Sequence, residues 1–303
     1  MELELKKKID SVINDQSCSE LSWELFQVLK SAVYEASGLY LQDTRFDEVE
    51  QYLQTICATS SHSNIGLLVH EMVSQNSLNT KYQQFLKRLT HSQSGFLKQP
   101  HQENILKNFL LPEWEKSSKE SDRFRILFAG CGNGKEVYSA LISLYEKRPV
   151  LFKNKQIEAV GIDYDADQIE AAKFGFWNYS EIKSLPAEFL EKYFISGQDG
   201  MKIIPEISSA GQFLHANLLD EDEIAELGHF QVVFCRNVLV FYNKEIRSRM
   251  VNILGDLLVD GGYLFLDNFE SLHGIPHQFI PVHFARVLSY QKKSKEQDLD
   301  SEK

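Results

Sequence analysis

Residues 124–139 read FRILFAGCGNGKEVYS. The apolar run Phe124–Ala129 has the make-up of a buried strand, and KEVYSALISLYEK from Lys135 onward has helical spacing. Between them stand Gly130, Gly132 and Gly134. A turn this tight, entered from a strand and left into a helix, needs glycine because its backbone must approach a ligand and a Cβ would block the approach. The place of the third glycine in a dinucleotide fingerprint is taken by Lys135. G-x-G-x-x-G therefore fails and G-x-G-x-G holds.

Outward from this turn, short apolar runs alternate with helical stretches. IEAVGID, FLHANLL, FQVVFCRN, GGYLFLDN and FARVLSYQK read as strands, and ADQIEAAKFG and KEIRSRMVNILGDLL as helices. The alternation predicts an α/β fold, a doubly wound parallel sheet covered on both faces. No helical pattern separates the last two strands, only HGIPHQFIP, so the sheet should end in an antiparallel hairpin. Gly-containing turns between short β-prone runs predict a small antiparallel β insertion over about residues 195–215. The first third is helical: Leu25, Leu29, Ala32, Val33 and Ala36 recur at helical spacing, and Gly38 follows as a C-cap. Tyr82, Phe85, Leu86 and Leu89 repeat the pattern, as do Ile105, Leu106, Phe109 and Leu110. The expected organisation is a helical domain over 1–115, a polar linker over 116–123, the α/β domain over 124–291, and a disordered tail over 292–303.

Composition excludes several classes. The net charge is −11, and residues 1–115 hold 10 Lys+Arg against 15 Asp+Glu, so no basic half is masked by an acidic average. A nucleic-acid partner is disfavoured. No apolar run approaches the ~20 residues of a membrane span, and MELELKKKID has no apolar signal core. Cys18, Cys57, Cys131 and Cys235 form no C-x-x-C pair, which fits a reducing cytoplasm and argues against a structural zinc. His273 and His277 are four apart, but Gly274 and Pro276 between them argue against a helical metal pair, and no metal site is expected.

The glycine turn and the terminal hairpin together point to a class I S-adenosylmethionine-dependent methyltransferase domain. Asp163 ends the second strand, where a carboxylate can accept both ribose hydroxyls; the competing reading is a cap on the next helix. Asn217 follows the third strand, either against the adenine edge or as a plain turn residue. Arg236 and Asn237 end the fourth strand and face the same crevice.

Several stretches resemble the CheR-type protein-glutamate O-methyltransferases of chemotaxis receptors. They are Phe234–Val238 (FCRNV), Ala172–Trp177 (AKFGFW), SLPAEFLEKYF, His215–Leu219 (HANLL), and Gly134–Ser139 (GKEVYS), similar to the family's G-E-E-P-Y-S. The resemblance implies cofactor contacts at Gly130, Glu136, Asp163, Asn217, Arg236 and Asn237. It also implies that the family segment N-L-T-x-F-F-R-E, here SQSGFLKQ over 92–99, folds over the cofactor. In that segment Ser94 stands for threonine, Lys98 for arginine and Gln99 for glutamate. After FCRNV the family has Tyr then Phe, and this chain has Phe241 then Tyr242; on a strand that shift turns the hydroxyl to the other face. Lys98, Arg236, Phe241 and Tyr242 are thereby the candidate catalytic positions.

The activity implied by the resemblance is S-adenosylmethionine-dependent methylation of a glutamate on an acidic protein helix such as a methyl-accepting receptor, with S-adenosylhomocysteine as product. The early segment DTRFDEVEQYLQTICATSSH is not basic as in family members that dock receptor helices, and the turn GQDG is short for binding a receptor's tether peptide. The altered SQSGFLKQ and Phe241–Tyr242 positions leave two other readings: a cofactor-binding sensor or scaffold without turnover, or a methyltransferase for a different acceptor.

Overall fold

The computed structural model describes residues 20–59, 64–74, 80–90 and 95–293. The chain divides into two compact units, residues 1–91 with 240–246, and residues 92–239 with 247–303.

The first unit is helical among its described residues, with helices Trp23–Ser37, Phe46–Thr59, Ile65–Ser74 and Thr80–Thr90. Ser22 caps the first helix, its hydroxyl accepting from the Leu25 N–H at 3.2 Å. Gly38 ends it in the left-handed region at φ 72°, donating to the Tyr34 carbonyl. Phe26, Leu29, Val33, Leu53, Leu68, Val69 and Phe85 form a buried core, against which Phe241 and Tyr242 pack from the distant chain segment. Tyr242 forms an antiparallel bridge with Leu39, and the Tyr40 N–H donates to the Phe241 carbonyl at 2.6 Å.

The second unit is built on strands β1 (Phe124–Ala129), β2 (Ile157–Asp163), β3 (Phe176–Asn178), β4 (Phe194–Ser196), β5 (Gly200–Ile203), β6 (Gly211–His215), β7 (Phe230–Cys235), β8 (Leu258–Leu266), β9 (Phe279–Phe284) and β10 (Val287–Lys292). Seven of them form one sheet in the order β6-β2-β1-β7-β8-β10-β9. It is parallel from β6 to β8, and β10 runs antiparallel to both β8 and β9. This is the doubly wound sheet with a terminal hairpin expected from the alternation. Adjacent positions of β1 and β2 are buried on both faces, as a sheet covered on both sides requires.

The structure corrects three readings. The hairpin contains a strand where the sequence suggests only a loop: β9 lies within HQFIPVHF, and Ala285, at φ 47°, is the turn into β10. Pro281 is tolerated there because β9 is the sheet's edge. The insertion is a separate sheet ordered β3-β5-β4, so it begins at Phe176 rather than 195, and Gly211–His215 belongs to the main sheet. Residues 92–115 group with the sheet, because Ile105, Leu106, Leu110 and Leu111 are buried in its core. No helix among the described residues is long and apolar enough to cross a membrane. From residue 294 the expected tail lies outside the described residues.

Candidate active site

The carboxyl ends of β1, β2 and β7 converge on the glycine turn. Gly130, Gly132 and Gly134 all have positive φ, at 76°, 53° and 82°. A Cβ on Gly130 would stand 2.3 Å from the Val238 Cγ2, and one on Gly134 would meet Ala172 and Phe213 at 3.0 and 3.1 Å. Glycine is thus demanded here twice over, by the torsion and by the space. The Gly130 and Cys131 N–H groups donate to the Ile162 carbonyl, locking the turn onto β2.

Asp163 braces the turn from the side. Its carboxylate accepts the Gly132 N–H at 2.8 Å and the Asp165 N–H at 2.9 Å. Burial pushes the Asp163 carboxyl above its ordinary value, and those two N–H donors pull it back. The capping role that competed for this residue belongs to Asp165, which caps the helix Ala166–Phe174 by accepting the Asp167 N–H. Asn217 is exposed, and its Oδ1 accepts the Leu219 N–H at 3.0 Å, so it does form a turn and only its amide nitrogen faces elsewhere.

Arg236 at the end of β7 is 6% exposed, and its Nη1 donates to the Glu136 carboxylate at 3.1 Å. Its Nε and Nη2 are buried without a hydrogen-bond partner. Two buried guanidinium donors without an acceptor are costly, which marks the place where an anionic ligand group would be satisfied. Glu103, also buried, shares the field of this pair; burial pushes its pKa up to about 7 against the pull of Arg236. Asn237 has φ 56°, and its N–H donates to Glu270 at 2.9 Å.

The segment before the helix Pro100–Ile105 is fixed at several points. Phe96 lies edge-on to Trp177 and Phe194 at 4.9 and 5.5 Å. Leu97 has φ 55°, and its N–H donates to the Ser139 hydroxyl at 3.0 Å. Lys98 is exposed and folds back over Gly95. Gln99 donates to Asp267 at 2.9 Å.

A profile of the CheR methyltransferase, SAM binding domain, matches residues 92–288. The chain belongs to the CheR methyltransferase family. It is 28% identical over 281 residues to Chemotaxis protein methyltransferase Cher2 of Pseudomonas putida, covering 91% of this chain and 100% of that protein. To Chemotaxis protein methyltransferase 1 of Pseudomonas aeruginosa it is 27% identical with the same coverage. To Chemotaxis protein methyltransferase of Salmonella typhimurium it is 25% identical over 84% of this chain and 86% of that one.

As a CheR-family methyltransferase the chain uses S-adenosylmethionine. The site fits such a molecule: a left-handed glycine cradle, a braced carboxylate for a diol, and a guanidinium with free donors beside a carboxylate for an amino-acid end. The structure brings together Gly130, Gly132, Gly134, Glu136, Asp163, Arg236 and Asn237, with Lys98 on the fixed segment of the same unit. Ser94 lies outside the described residues. Phe241 and Tyr242 belong to the helical unit. They also do not lie on a strand, as the face-switching expectation requires: β7 stops at Cys235, and Leu239–Phe241 is a 3₁₀ turn, so a one-residue shift there is a rotation about a turn and not a change of sheet face. The sequence reading missed Glu103, Asp267 and Glu270. The carboxylates of LDNFES directly after a strand were a usable signal for the last two.

Proposed function

We propose that this CheR-family chain transfers a methyl group from S-adenosylmethionine to glutamate side chains of a chemotaxis receptor, forming a methyl ester. Membership in the family, with relatives named chemotaxis protein methyltransferases along most of the chain, carries this reading. Asp163 would hold the ribose diol, the glycine turn would pass beside the cofactor, and the Asn217 amide nitrogen would meet the adenine edge. Glu136 and Arg236 would take the charged amino-acid end, with Arg236 supplying Nε and Nη2.

The cofactor supplies an electrophilic methyl on a sulfonium. A glutamate with a pKa near ~4.3 is already ionised at neutral pH, so this chain need not provide a base. With the cofactor bound, methyl transfer would join a carboxylate to a sulfonium and cancel their opposite charges, so the site needs no strong added charge. The protein's task is therefore to exclude water and hold the oxygen in line. Lys98, on the same unit as the cofactor residues, supplies a cation to draw the acceptor carboxylate in; of the pair Phe241 and Tyr242, only Tyr242 carries a hydroxyl.

The acceptor would be an acidic receptor helix, met in the reducing cytoplasm. The helix Phe46–Thr59 carries Asp47, Glu48 and Glu50 and no Lys or Arg, so it would repel such a helix, and docking is assigned elsewhere on the chain. The short turn between β4 and β5, closed by the Gly197 N–H on the Gly200 carbonyl, supports methylation that requires no tether peptide. The test is incubation with methyl-labelled cofactor and a receptor cytoplasmic fragment. Label released by mild alkali is expected; alkali-stable label, or binding with no transfer, would end the proposal.

A further inference from the structure

We propose that Asp267 is a positioning residue for the methyl transfer and that Gln99 is its matched amide partner. The inference rests on the methyltransferase reading above and concerns two residues that the cofactor and acceptor contacts leave without a role.

The Gln99 side chain bridges two groups at the end of β8. Its Nε2 donates to the Asp267 Oδ2 at 2.9 Å, and its Oε1 accepts the Asn268 Nδ2 at 3.1 Å. The same Asp267 oxygen lies 3.5 Å from the Asn237 Nδ2, and the other accepts the Phe269 N–H at 3.3 Å. Glu270 completes the knot by accepting both the Asn237 and Asp267 N–H groups, at 2.9 and 3.1 Å. One carboxylate, Asp267, thus ties the segment carrying Lys98 to the strand end carrying Arg236 and Asn237.

Both tied backbones pass through the left-handed region, at a cost for Leu97 that the short polar side chain of Asn237 largely avoids. Leu97 and Asn237 are non-glycine residues at φ 55° and 56°. At Leu97 such a conformation persists only where the surroundings over-determine it. Phe96 is fixed in the aromatic cluster and Gln99 on Asp267, so Leu97 and Lys98 span two anchors. Freeing the second anchor lets Leu97 relax and carries Lys98 away from its position, and small displacements near a reacting group cost large factors in rate.

The partner at 99 must be a hydrogen-bond donor that keeps its proton at neutral pH, as the Gln99 amide does. A glutamate, the residue that the family resemblance puts there, would bring a second carboxylate to the same 2.9 Å contact, and two carboxylates that close cannot both ionise. In this chain the Asp267 charge and the Gln99 amide form a compatible pair, and restoring the family residue at one end alone breaks it.

The full chain and its Gln99→Glu, Asp267→Asn and Gln99→Glu/Asp267→Asn variants decide the matter. The readouts are backbone hydrogen exchange over residues 95–99 with S-adenosylhomocysteine present, the affinity for S-adenosylhomocysteine, and kcat and KM with a receptor fragment. Gln99→Glu should speed exchange and lower kcat about tenfold, with KM for the receptor fragment changed less than about twofold. The double variant reverses the bond, the amide introduced at position 267 donating to the carboxylate introduced at position 99. It should recover kcat to within about threefold and restore protection. Gln99→Glu indistinguishable from wild type, or a double variant no better than Gln99→Glu, overturns the proposal. A wild-type chain that transfers no methyl to the fragment defeats the functional reading instead, and the exchange cycle then still decides whether the tether exists.

Discussion

At the scale of single residues, the turn between β1 and the following helix leaves little freedom. Gly130→Ala would place a Cβ 2.3 Å from the Val238 Cγ2 in a left-handed conformation, so loss of cofactor binding is expected, and a calorimetric titration with S-adenosylhomocysteine at wild-type affinity would refute it. Asp163→Ala removes the acceptor of two turn amides as well as the proposed ribose contact. The affinity should fall by about 1–3 kcal/mol, roughly five- to 150-fold, and an unchanged dissociation constant would remove Asp163 from the site. Lys98→Ala should lower kcat for the receptor fragment while leaving the S-adenosylhomocysteine affinity within about twofold, since the lysine is exposed and proposed to face the acceptor. Glu103 gives a pH signature. Its folded pKa of about 7 exceeds the unfolded value near ~4.3, so between these values the folded chain holds a proton that the unfolded chain has released. Its contribution to stability is therefore full below about pH 4 and declines as pH rises through 7, by a total of order 3 kcal/mol. Glu103→Gln should raise the melting temperature more at pH 8 than at pH 5; a pH-independent difference would show that Glu103 titrates normally.

At the scale of elements, what was legible depended on whether the signal was local. The glycine turn, the Gly38 cap and the strands β1, β2, β7 and β8 announce themselves through torsion and continuous apolar runs, and they stand where expected. Strand β9 did not, because an edge strand alternates buried and exposed residues and here includes a proline and a histidine, the marks of a loop. The β insertion was misplaced because β3 and β5 pair across twenty-odd intervening residues that hold two short helices and β4, a long-range register that composition does not display. The burial of Glu103 was illegible for the same reason: a carboxylate in a helix reads as a solvated face until its neighbours are known. Nor could the spacing show that Leu106–Leu110 is a π-helical stretch within the helical run from Pro100 to Ser117. The acidic helix Phe46–Thr59 can be tested as a unit, for Asp47 and Gln51 are exposed on it one turn apart. Asp47→Lys with Gln51→Arg should raise kcat/KM for an acidic receptor fragment severalfold at low ionic strength by removing repulsion on approach, with the gain shrinking as salt is added; a salt-independent gain, or none, would show that this helix does not repel the receptor.

At the scale of the whole molecule, the helical unit is not a simple N-terminal domain. Its core is lined by helices from residues 23–90, but Phe241 and Tyr242 pack on it and Tyr242 bridges to Leu39, from a segment two hundred residues onward. A fragment ending at residue 91 should therefore melt at a lower temperature than one carrying residues 240–246 through a flexible linker, and equal melting curves by circular dichroism would show the segment to be dispensable. The same threading has a consequence during synthesis. At about 5–20 residues per second, roughly 10–40 s pass between emergence of Leu39 and of Tyr242 from the ribosome. Through that interval the first helices carry an apolar surface that their final covering segment has not yet reached. The nascent N-terminal unit is thus the stretch on which a holding chaperone has the longest time to act, and its completion is timed by the translation of the sheet that follows it.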